Sequence, residues 1–176
     1  KSKFILMGHS LGGSKVVNYI LKNKSPEIIA AILLAPTDMV GWANTDSNNQ
    51  KYLQKAKDLL AKGKGEEIVG FQCWLDKIPI SAQSYPGLCE PGTAVDIYAD
   101  KEVESSMVNV GIPMLISYGD ADIGITEIDG NIDKWITRVN RIKNSNTQIS
   151  IIKNASHSFK THEEELAILV EKFLKE

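Results

Sequence analysis

Apolar residues along the chain recur with two different periods, and the alternation between them predicts strands followed by helices. Short apolar stretches typical of buried parallel strands occupy residues 4–7, 28–35, 112–118 and 147–152. Apolar positions at helical spacing occupy residues 11–24, residues 129–143 and the segment after Thr161. A strand, a helix and a strand joined by a short return form a right-handed crossover unit. The pattern therefore predicts an α/β fold with a mostly parallel sheet flanked by helices.

The last predicted helix has the clearest amino-terminal signal in the chain. Thr161 and Glu164 have the spacing of a capping box, and three glutamates fall in the first predicted turn. Apolar residues from Leu166 to Leu174 then line one face. We expect a helix that begins at the threonine cap.

Between Pro36 and Ile112 the regular alternation of strands and helices stops. The predicted pieces of this region are a helix at 49–62, a strand at 68–75 and helical or irregular segments at 81–89 and 93–98. A gap of this length inside a sheet domain is usually an insertion with a small core of its own. We therefore expect residues 1–36 and 112–176 to form the core domain, and residues 37–111 to form a cap over the carboxyl edge of the sheet.

Three aromatic residues of this insertion, Trp42, Trp74 and Tyr85, have two possible roles. They can line a pocket for an acyl group, or they can pack together as the core of the cap. Aromatic residues in such a segment more often have the packing role, and that role is our expectation.

Composition and charge narrow the classes of function. The chain of 176 residues is 43% hydrophobic and 24% charged, with a formal net charge of −2. Because the chain has no block of basic residues, neither nucleic acid nor an anionic membrane surface is an expected partner. Its longest apolar run, residues 28–36, is too short to span a bilayer. Cys73 and Cys89 can pair or remain thiols in a reducing compartment. Neither has metal-ligand spacing, and we expect no metal or other cofactor.

The stretch Gly8-His9-Ser10-Leu11-Gly12-Gly13 lies between the first predicted strand and the first predicted helix. A serine at such a turn adopts a strained backbone conformation that projects its hydroxyl above the sheet, and small residues two positions away let strand and helix approach closely. The N–H groups that open the helix suit a developing negative charge on oxygen. The competing interpretation is a glycine-rich turn or a phosphate loop. A phosphate loop would need further glycines or a Gly-Lys-Ser/Thr ending, which this stretch lacks.

An acid and a histidine follow the third and fourth predicted strands. His157 lies between the last strand and the last helix, where an imidazole can reach over the sheet. Asp120 and Asp122 both follow the third strand and compete for the acid role. They lack the third ligand and the glycine of a calcium loop, so a calcium site is not expected. A serine, an acid and a histidine can together form a catalytic triad, in which the histidine activates the serine. The chain order Ser10, acid, His157 is one of three orders in which such triads occur.

The other two histidines receive structural interpretations. We expect His9 to point away from Ser10 along the strand and to pack, and His162 to be solvated in the first turn of the last helix. His157 and His162 do not have the i, i+4 spacing of a zinc pair.

The chain resembles the α/β-hydrolase superfamily in three motifs and in their placement. They are Gly8-His9-Ser10-Leu11-Gly12-Gly13, Ile112-Pro113-Met114-Leu115-Ile116-Ser117-Tyr118-Gly119-x-x-Asp122 and Ala155-Ser156-His157-Ser158-Phe159. The family pattern Gly-x-x-Asp falls on Asp122, which leaves Asp120 as a turn-stabilising side chain. The resemblance implies that Ser10 is the nucleophile, His157 the general base and Asp122 the acid that orients it. It also implies that the N–H of Leu11 binds the oxyanion.

This resemblance implies a serine hydrolase that cleaves a carboxylic ester or thioester through an acyl-enzyme intermediate. A small-molecule ester or thioester is the expected substrate because the fold hosts mostly esterases and lipases. The alternative, from another class, is a catalytically silent module of the same fold that binds a ligand or partner through the cap. Reaction with an active-site serine probe would distinguish the two.

The chain differs from typical family members at its amino end. Those members place several strands before the nucleophile strand, with the loop that supplies a second oxyanion donor, whereas this chain reaches its first predicted strand within three residues of Lys1. We expect a carboxyl-terminal portion of a larger hydrolase rather than a short variant whose partner subunit covers the sheet edge. In either case the nucleophile strand is expected to be an exposed edge that can associate with another strand. Any targeting peptide would lie upstream, and we expect a cytoplasmic location.

Overall fold

The computed structural model describes residues 2–70, 79–99 and 101–176 of the chain. The strands, in chain order, are β1 (Phe4–His9), β2 (Ile28–Leu34), β3 (Ile68–Gly70), β4 (Ile80–Ser81), β5 (Met114–Gly119) and β6 (Thr147–Ile152). The helices, in chain order, are α1 (Leu11–Asn23), α2 (Met39–Thr45), α3 (Asn49–Ala61), α4 (Tyr85–Cys89), α5 (Ile123–Asp129), α6 (Ile132–Ile142) and α7 (Glu163–Lys175). None of the helices in these described ranges combines the length and the apolar character needed to cross a membrane.

The main sheet is parallel and has the spatial order β1-β2-β5-β6. Successive residues of β2 face opposite sides of this sheet. Ala31 and Leu33 pack with α1 and α6, whereas Ala30 and Ile32 pack with α7. Both faces of the strand are therefore covered, which explains its unbroken apolar sequence. The predicted α/β class is confirmed, and the four carboxyl ends of the strands meet at one edge.

Buried residues on the α1 and α6 side form the largest hydrophobic cluster of the described structure, which we call the sheet core. Its members are Val16, Val17, Ile20, Ile28, Ala31, Leu33, Ile97, Tyr98, Met107, Val110, Met114, Ile116, Tyr118, Ile125, Trp135, Val139 and Ile142. Four of them, Ile97, Tyr98, Met107 and Val110, come from the irregular end of the 37–111 segment. That part of the segment is therefore anchored on the sheet.

The rest of the 37–111 segment has a separate hydrophobic cluster, which we call the small core. Its buried members are Ala43, Leu53, Ala56, Val69, Ile80, Ala82, Tyr85 and Cys89. The cluster lies among α2, α3, α4 and the antiparallel pair β3 and β4. Tyr85 is fully buried in it, in agreement with the expected packing role, while Cys73 and Trp74 lie outside the described residues.

Strand β1 lies at the edge of the sheet and, within the described residues, pairs only with β2. Phe4 is 51% exposed and Met7 is 54% exposed, so apolar side chains face solvent there. The predicted edge position of the strand that precedes Ser10 is confirmed.

Several predicted elements differ from the structure. The helix expected at 129–143 begins at Ile132, after Gly130 has ended the unpredicted helix α5 with a φ of 82°. Helix α2 was also unpredicted. Of the strand expected at 68–75, the described part covers Ile68–Gly70, and residues 71–75 lie outside the described residues.

The predicted capping box of the last helix is wrong. Helix α7 begins at Glu163 with His162 at the cap position, one residue later than expected, and no side chain caps it. Thr161 has a φ of 70° and donates its hydroxyl to the carbonyl of Lys160 instead. Its hydroxyl is thus committed to a local turn before the helix starts.

Candidate active site

Ser10 occupies a strained turn between β1 and α1. Its φ of 56° and ψ of −128° lie outside the regions that a non-glycine residue normally adopts. A Cβ on Gly8 would lie 2.3 Å from the carbonyl oxygen of Gly12, so the close approach of strand and helix requires glycine at position 8. A Cβ on Gly12 itself would meet no atom within 4 Å. Leu11 is the first residue of α1, which places its N–H at the positive end of the helix beside Ser10.

The structure brings Ser10, His157 and Asp122 into one hydrogen-bonded chain. His157 Nδ1 lies 2.7 Å from Asp122 Oδ2, and His157 Nε2 lies 2.9 Å from Ser10 Oγ. The carboxylate can only accept, so Nδ1 carries the proton that it donates to Asp122. In the neutral imidazole Nε2 is then an acceptor for the Ser10 hydroxyl. This arrangement can take up a proton from Ser10 without further rearrangement.

The two competing aspartates have distinct positions. Asp122 is 3% exposed, and its second carboxylate oxygen accepts a hydrogen bond from the Gly124 N–H at the start of α5. Asp120 points instead to the loop before His157, where its carboxylate accepts from the N–H of Asn154 at 2.5 Å. Asp120 therefore stabilises the turn that carries His157, and Asp122 contacts its imidazole.

His9 does not have the expected packing role. Its side chain is exposed, and Nε2 lies 2.8 Å from the backbone carbonyl of His157, to which it donates a hydrogen bond. The two imidazole rings are 5.0 Å apart between centroids. His9 is the last residue of β1, so its side chain lies at the strand end, where the His157 loop contacts it. The side chain thus ties the two loops of the site together.

Thr37 is a residue of the site that sequence analysis missed. It follows β2, is 6% exposed, and places Oγ1 at 3.0 Å from Ser10 Oγ. No motif surrounds it in the sequence. Its proximity to Ser10 depends on the pairing of β1 with β2, which aligns His9 with Leu34 and so brings the residues beyond both strand ends together.

An ion pair between a buried aspartate and a half-buried arginine lies next to Thr37. Asp38 is 3% exposed; one of its oxygens lies 2.7 Å from Arg138 Nη1, and the other accepts from the Gly41 N–H at the start of α2. Arg138 also pairs with Asp129 and lies over the Trp135 ring at 4.6 Å. Burial alone would lower the pKa of Arg138, but Asp38 and Asp129 together hold that pKa above its ordinary value.

A cavity of about 560 Å³ opens beside Ser10. Its described lining residues are Ser10, Leu11, Met39, Glu66, Ile68, Pro79, Ile80, Ser81, Ser84 and Leu88. Most of the walls are apolar and come from the elements around the small core. A volume of this size is in the range of small-molecule sites.

A much smaller cavity, with room for about 10 Å³, lies behind the triad between His157, Asp122 and Trp42. It is the size of a single water molecule. In the described part of the chain, no three His, Cys, Asp or Glu side chains come together as a metal site would require. Cys89 is buried in the small core, and its possible partner Cys73 lies outside the described residues.

Comparison with known proteins gives a family and a fold. A family model described as "Protein of unknown function (DUF1749)" matches residues 1–175. No curated protein sequence shows a significant match to the chain. Solved structures do match: a monoacylglycerol lipase from Paleococcus ferrophilus has 19% identity and a TM-score of 0.57, and covers 99% of this chain.

Two further structures are similar over nearly the whole chain. The mouse alpha/beta hydrolase domain-containing protein 10 has 14% identity, a TM-score of 0.60 and 99% coverage of this chain. Est1E from Butyrivibrio proteoclasticus has 18% identity, a TM-score of 0.59 and 98% coverage. The chain spans 69% of the length of the lipase, 63% of the mouse protein and 60% of Est1E. It therefore has the α/β-hydrolase fold and belongs to the DUF1749 family.

Proposed function

We propose that the chain carries the catalytic residues of a serine hydrolase that cleaves a carboxylic ester or thioester through an acyl-enzyme intermediate. The observation that carries this proposal is the hydrogen-bonded chain from Asp122 through His157 to Ser10, with Ser10 at a strained turn. These are the residue types, the order and the geometry of a general base and its activated nucleophile. Backbone strain at a residue such as Ser10, whose hydroxyl contacts an imidazole, is typical of a functional site.

Acylation uses the three side chains in order. His157 Nε2 takes the proton of Ser10 while Ser10 Oγ forms a bond to the carbonyl carbon, and the carbonyl electron pair moves onto oxygen. Asp122 stabilises the imidazolium that results. The Leu11 N–H at the start of α1 donates to the oxyanion. The leaving alcohol or thiol then departs with the proton from His157.

Deacylation repeats the sequence with water. His157 takes a proton from water, the resulting hydroxide attacks the acyl carbon, and the bond to Ser10 Oγ breaks. Ser10 Oγ recovers its proton from His157, and a carboxylic acid is released. Because proton uptake and release use the same nitrogen, a single imidazole serves both half-reactions.

The cavity beside Ser10 supports a substrate with an apolar acyl group. The apolar side chains of Met39, Ile80 and Leu88 line it together with Ser10. We assign residues 37–111 as the cap that shapes this cavity, with residues 1–36 and 112–176 as the catalytic core. Two structures of similar fold are named a monoacylglycerol lipase and a carboxylesterase, which favours esters over amides.

Reaction with a fluorophosphonate tests the proposal directly. The reagent should label the wild-type chain once, and peptide mass spectrometry should find the adduct on Ser10. The Ser10→Ala variant should remain folded, resist labelling and lose roughly 10⁴-fold or more of its kcat on p-nitrophenyl butyrate. Ser84→Ala, which removes another serine hydroxyl from the same cavity, should react like the wild type.

The alternative function makes the opposite prediction. A catalytically silent module that binds a ligand or partner would remain unlabelled in folded wild-type protein and would show no Ser10-dependent hydrolysis. Adduct formation at Ser81 or Ser84 would instead move the nucleophile to the cap.

We also propose that the exposed edge of β1 associates with a strand of a second copy of the chain. The apolar side chains of Phe4, Ile5 and Met7 support this proposal. Light scattering should detect association of the wild-type chain, and Met7→Lys should reduce it. A monodisperse monomer at all concentrations would contradict the proposal.

A further inference from the structure

The Thr37 hydroxyl touches the atom that would attack the substrate. Oγ1 lies 3.0 Å from Ser10 Oγ, in a position that is 6% exposed. Ser10 has a single hydroxyl proton and donates it to His157 Nε2, so the hydrogen bond between the two hydroxyls is donated by Thr37. We propose that Thr37 is a catalytic residue that stabilises negative charge on Ser10 Oγ; this inference rests on the proposed function.

The charge on Ser10 Oγ changes in both half-reactions. During attack the hydroxyl proton moves to His157 while Oγ forms its bond to the carbonyl carbon, so Oγ passes through a partly negative state. During deacylation the bond between Oγ and the acyl carbon breaks, and the electron pair stays on Oγ until His157 returns the proton. A donor aimed at Oγ is therefore bonded more strongly in both transition states than in the resting enzyme.

The backbone around Thr37 is arranged to present this hydroxyl. Ala35, two positions before it, has a φ of 41°, a strained conformation for alanine. A Cβ on Gly13 would lie 2.7 Å from Pro36 Cβ, so α1 and the segment after β2 can pack this closely because residue 13 is glycine. The Pro36 carbonyl accepts a hydrogen bond from the buried Tyr98 hydroxyl. Burial raises the pKa of Tyr98 well above its ordinary value, which keeps that donor protonated.

The next residue, Asp38, fixes the other side of Thr37. Its carboxylate caps α2 through the Gly41 N–H and pairs with Arg138, which belongs to α6. Thr37 is thus held between the Tyr98 contact at Pro36 and the Arg138 contact at Asp38. This double restraint limits the movement of Oγ1 away from Ser10.

Substitutions at Thr37 separate a catalytic hydroxyl from a merely structural one. Thr37→Val preserves the shape of the side chain and removes the donor, whereas Thr37→Ser preserves the donor and removes the methyl group. The readouts are the second-order rate of fluorophosphonate labelling, followed by intact-mass spectrometry, and kcat and KM on p-nitrophenyl butyrate. Hydrogen bonds to charged groups are roughly twice as strong as neutral ones, so we expect Thr37→Val to lose about 10-fold in labelling rate and kcat.

The expected pattern has three parts. Thr37→Val loses rate while its KM stays within about 2-fold of wild type, Thr37→Ser regains the rate to within about 3-fold, and Thr45→Val behaves like wild type. Thr45 is the matched control because its hydroxyl donates to the Trp42 carbonyl in the same segment, away from Ser10. Thermal unfolding of all variants shows whether each is folded at the assay temperature.

Two results would overturn the inference. The first is Thr37→Val with wild-type labelling and hydrolysis, which makes the hydroxyl dispensable. The second is Thr37→Ser as impaired as Thr37→Val, which assigns the effect to the methyl group and to packing. If wild type itself is not labelled at Ser10, the proposed function fails along with the role of Thr37; if it is labelled and Thr37→Val reacts equally fast, only the role of Thr37 fails.

Discussion

The sheet core and the small core differ in what they hold in place. The sheet core packs between α1, α6 and the strands β2 and β5. The loops that follow β1, β2, β5 and β6 carry Ser10, Thr37, Asp122 and His157, in that order. The small core lies among α2, α3, α4 and two short strands, and its elements form walls of the cavity beside Ser10. Under the proposed function, one core determines the chemistry and the other determines which acyl groups fit.

Two contacts between the elements of the two regions lie next to the site. Asp38, which caps α2, pairs with Arg138 of α6, and Trp42 of α2 packs against Gly124 of α5. A change deep in the sheet core should therefore affect stability, a change at the cavity wall should affect selectivity, and a change in the hydrogen-bonded chain should affect rate. Four predictions test this division, from the largest effect to the smallest.

Replacement of Asp122 should have the largest effect on rate. Asp122→Asn leaves the shape of the side chain but holds the His157 imidazole in the wrong tautomer, and we expect kcat to fall about 10³–10⁴-fold. Asp120→Asn is the matched control, because this carboxylate contacts a backbone N–H in the His157 loop and not the imidazole. Steady-state kinetics on a short acyl ester measures both. Equal losses in the two variants would contradict the assignment of the acid.

Truncation in the sheet core should reduce stability without a matching loss of rate. Ile116 is fully buried in β5, and Ile116→Ala should lower the free energy of unfolding by about 2–5 kcal/mol. Urea unfolding gives this value, and active-site titration with a fluorophosphonate gives the rate per folded molecule. A fall of more than about 10-fold in that rate would mean that the core also tunes the chemistry.

Enlargement of a cavity-wall residue should alter selectivity. Leu88 lines the cavity beside Ser10, and Leu88→Trp should lower kcat/KM for a long acyl ester about 10-fold relative to the acetyl ester, since the added ring takes up space for the chain. Leu60→Trp, on the exposed side of α3, is the control. Parallel losses on short and long esters would show that the acyl group binds elsewhere.

The smallest effect is expected at Asp96, where the 37–111 segment joins the sheet core. Burial raises the pKa of Asp96, so the folded chain binds this proton more tightly than the unfolded chain does. The stabilisation of the folded state by the protonated carboxyl is fully present below the unfolded pKa of Asp96, about 3.9, and is lost as the pH rises through the folded pKa. Asp96→Asn keeps an acceptor for the Gly92 N–H and should raise stability at pH 7 by less than about 1 kcal/mol.

The pH dependence checks the cause. The gain from Asp96→Asn should disappear at acidic pH, where wild-type Asp96 is protonated in both states. Asp58→Asn, at an exposed carboxylate on α3, controls for the loss of one negative charge. Thermal unfolding from about pH 3 to pH 8, a range that extends below the unfolded pKa, gives both comparisons. A gain of equal size at every pH would assign the effect to something other than ionisation.

The elements that local sequence could predict are those held by local interactions. The strand, glycine-rich turn and helix around Ser10 lie within 23 residues, and the observed β1 and α1 fall there. Helix α5 was missed because its seven residues are too few to show a helical hydrophobic period. Its formation depends on the Asp122 side chain at its cap and on packing against Trp42. The prediction of a capping box at Thr161 was wrong because the backbone of that residue adopts a positive φ, which the spacing of residues in the sequence does not reveal.

The hydrophobic pattern and the three motifs were sufficient to predict the α/β class and the strand ends at which Ser10, an aspartate and His157 meet. Parallel strands joined by helices bring their carboxyl ends to one edge, so Ser10, Asp122 and His157 had to come near one another once the strands were recognised. The family pattern already indicated Asp122 as the acid, and in the folded chain Asp122 and not Asp120 contacts the imidazole. The contact of His9 with the His157 loop and the contact of Thr37 with Ser10 are visible only in the tertiary structure. These contacts depend on how each loop turns after its strand, and pairs such as Asp38 and Arg138 are 100 positions apart. No local pattern encodes a contact of that separation, because its energy is realised only when the whole sheet has formed.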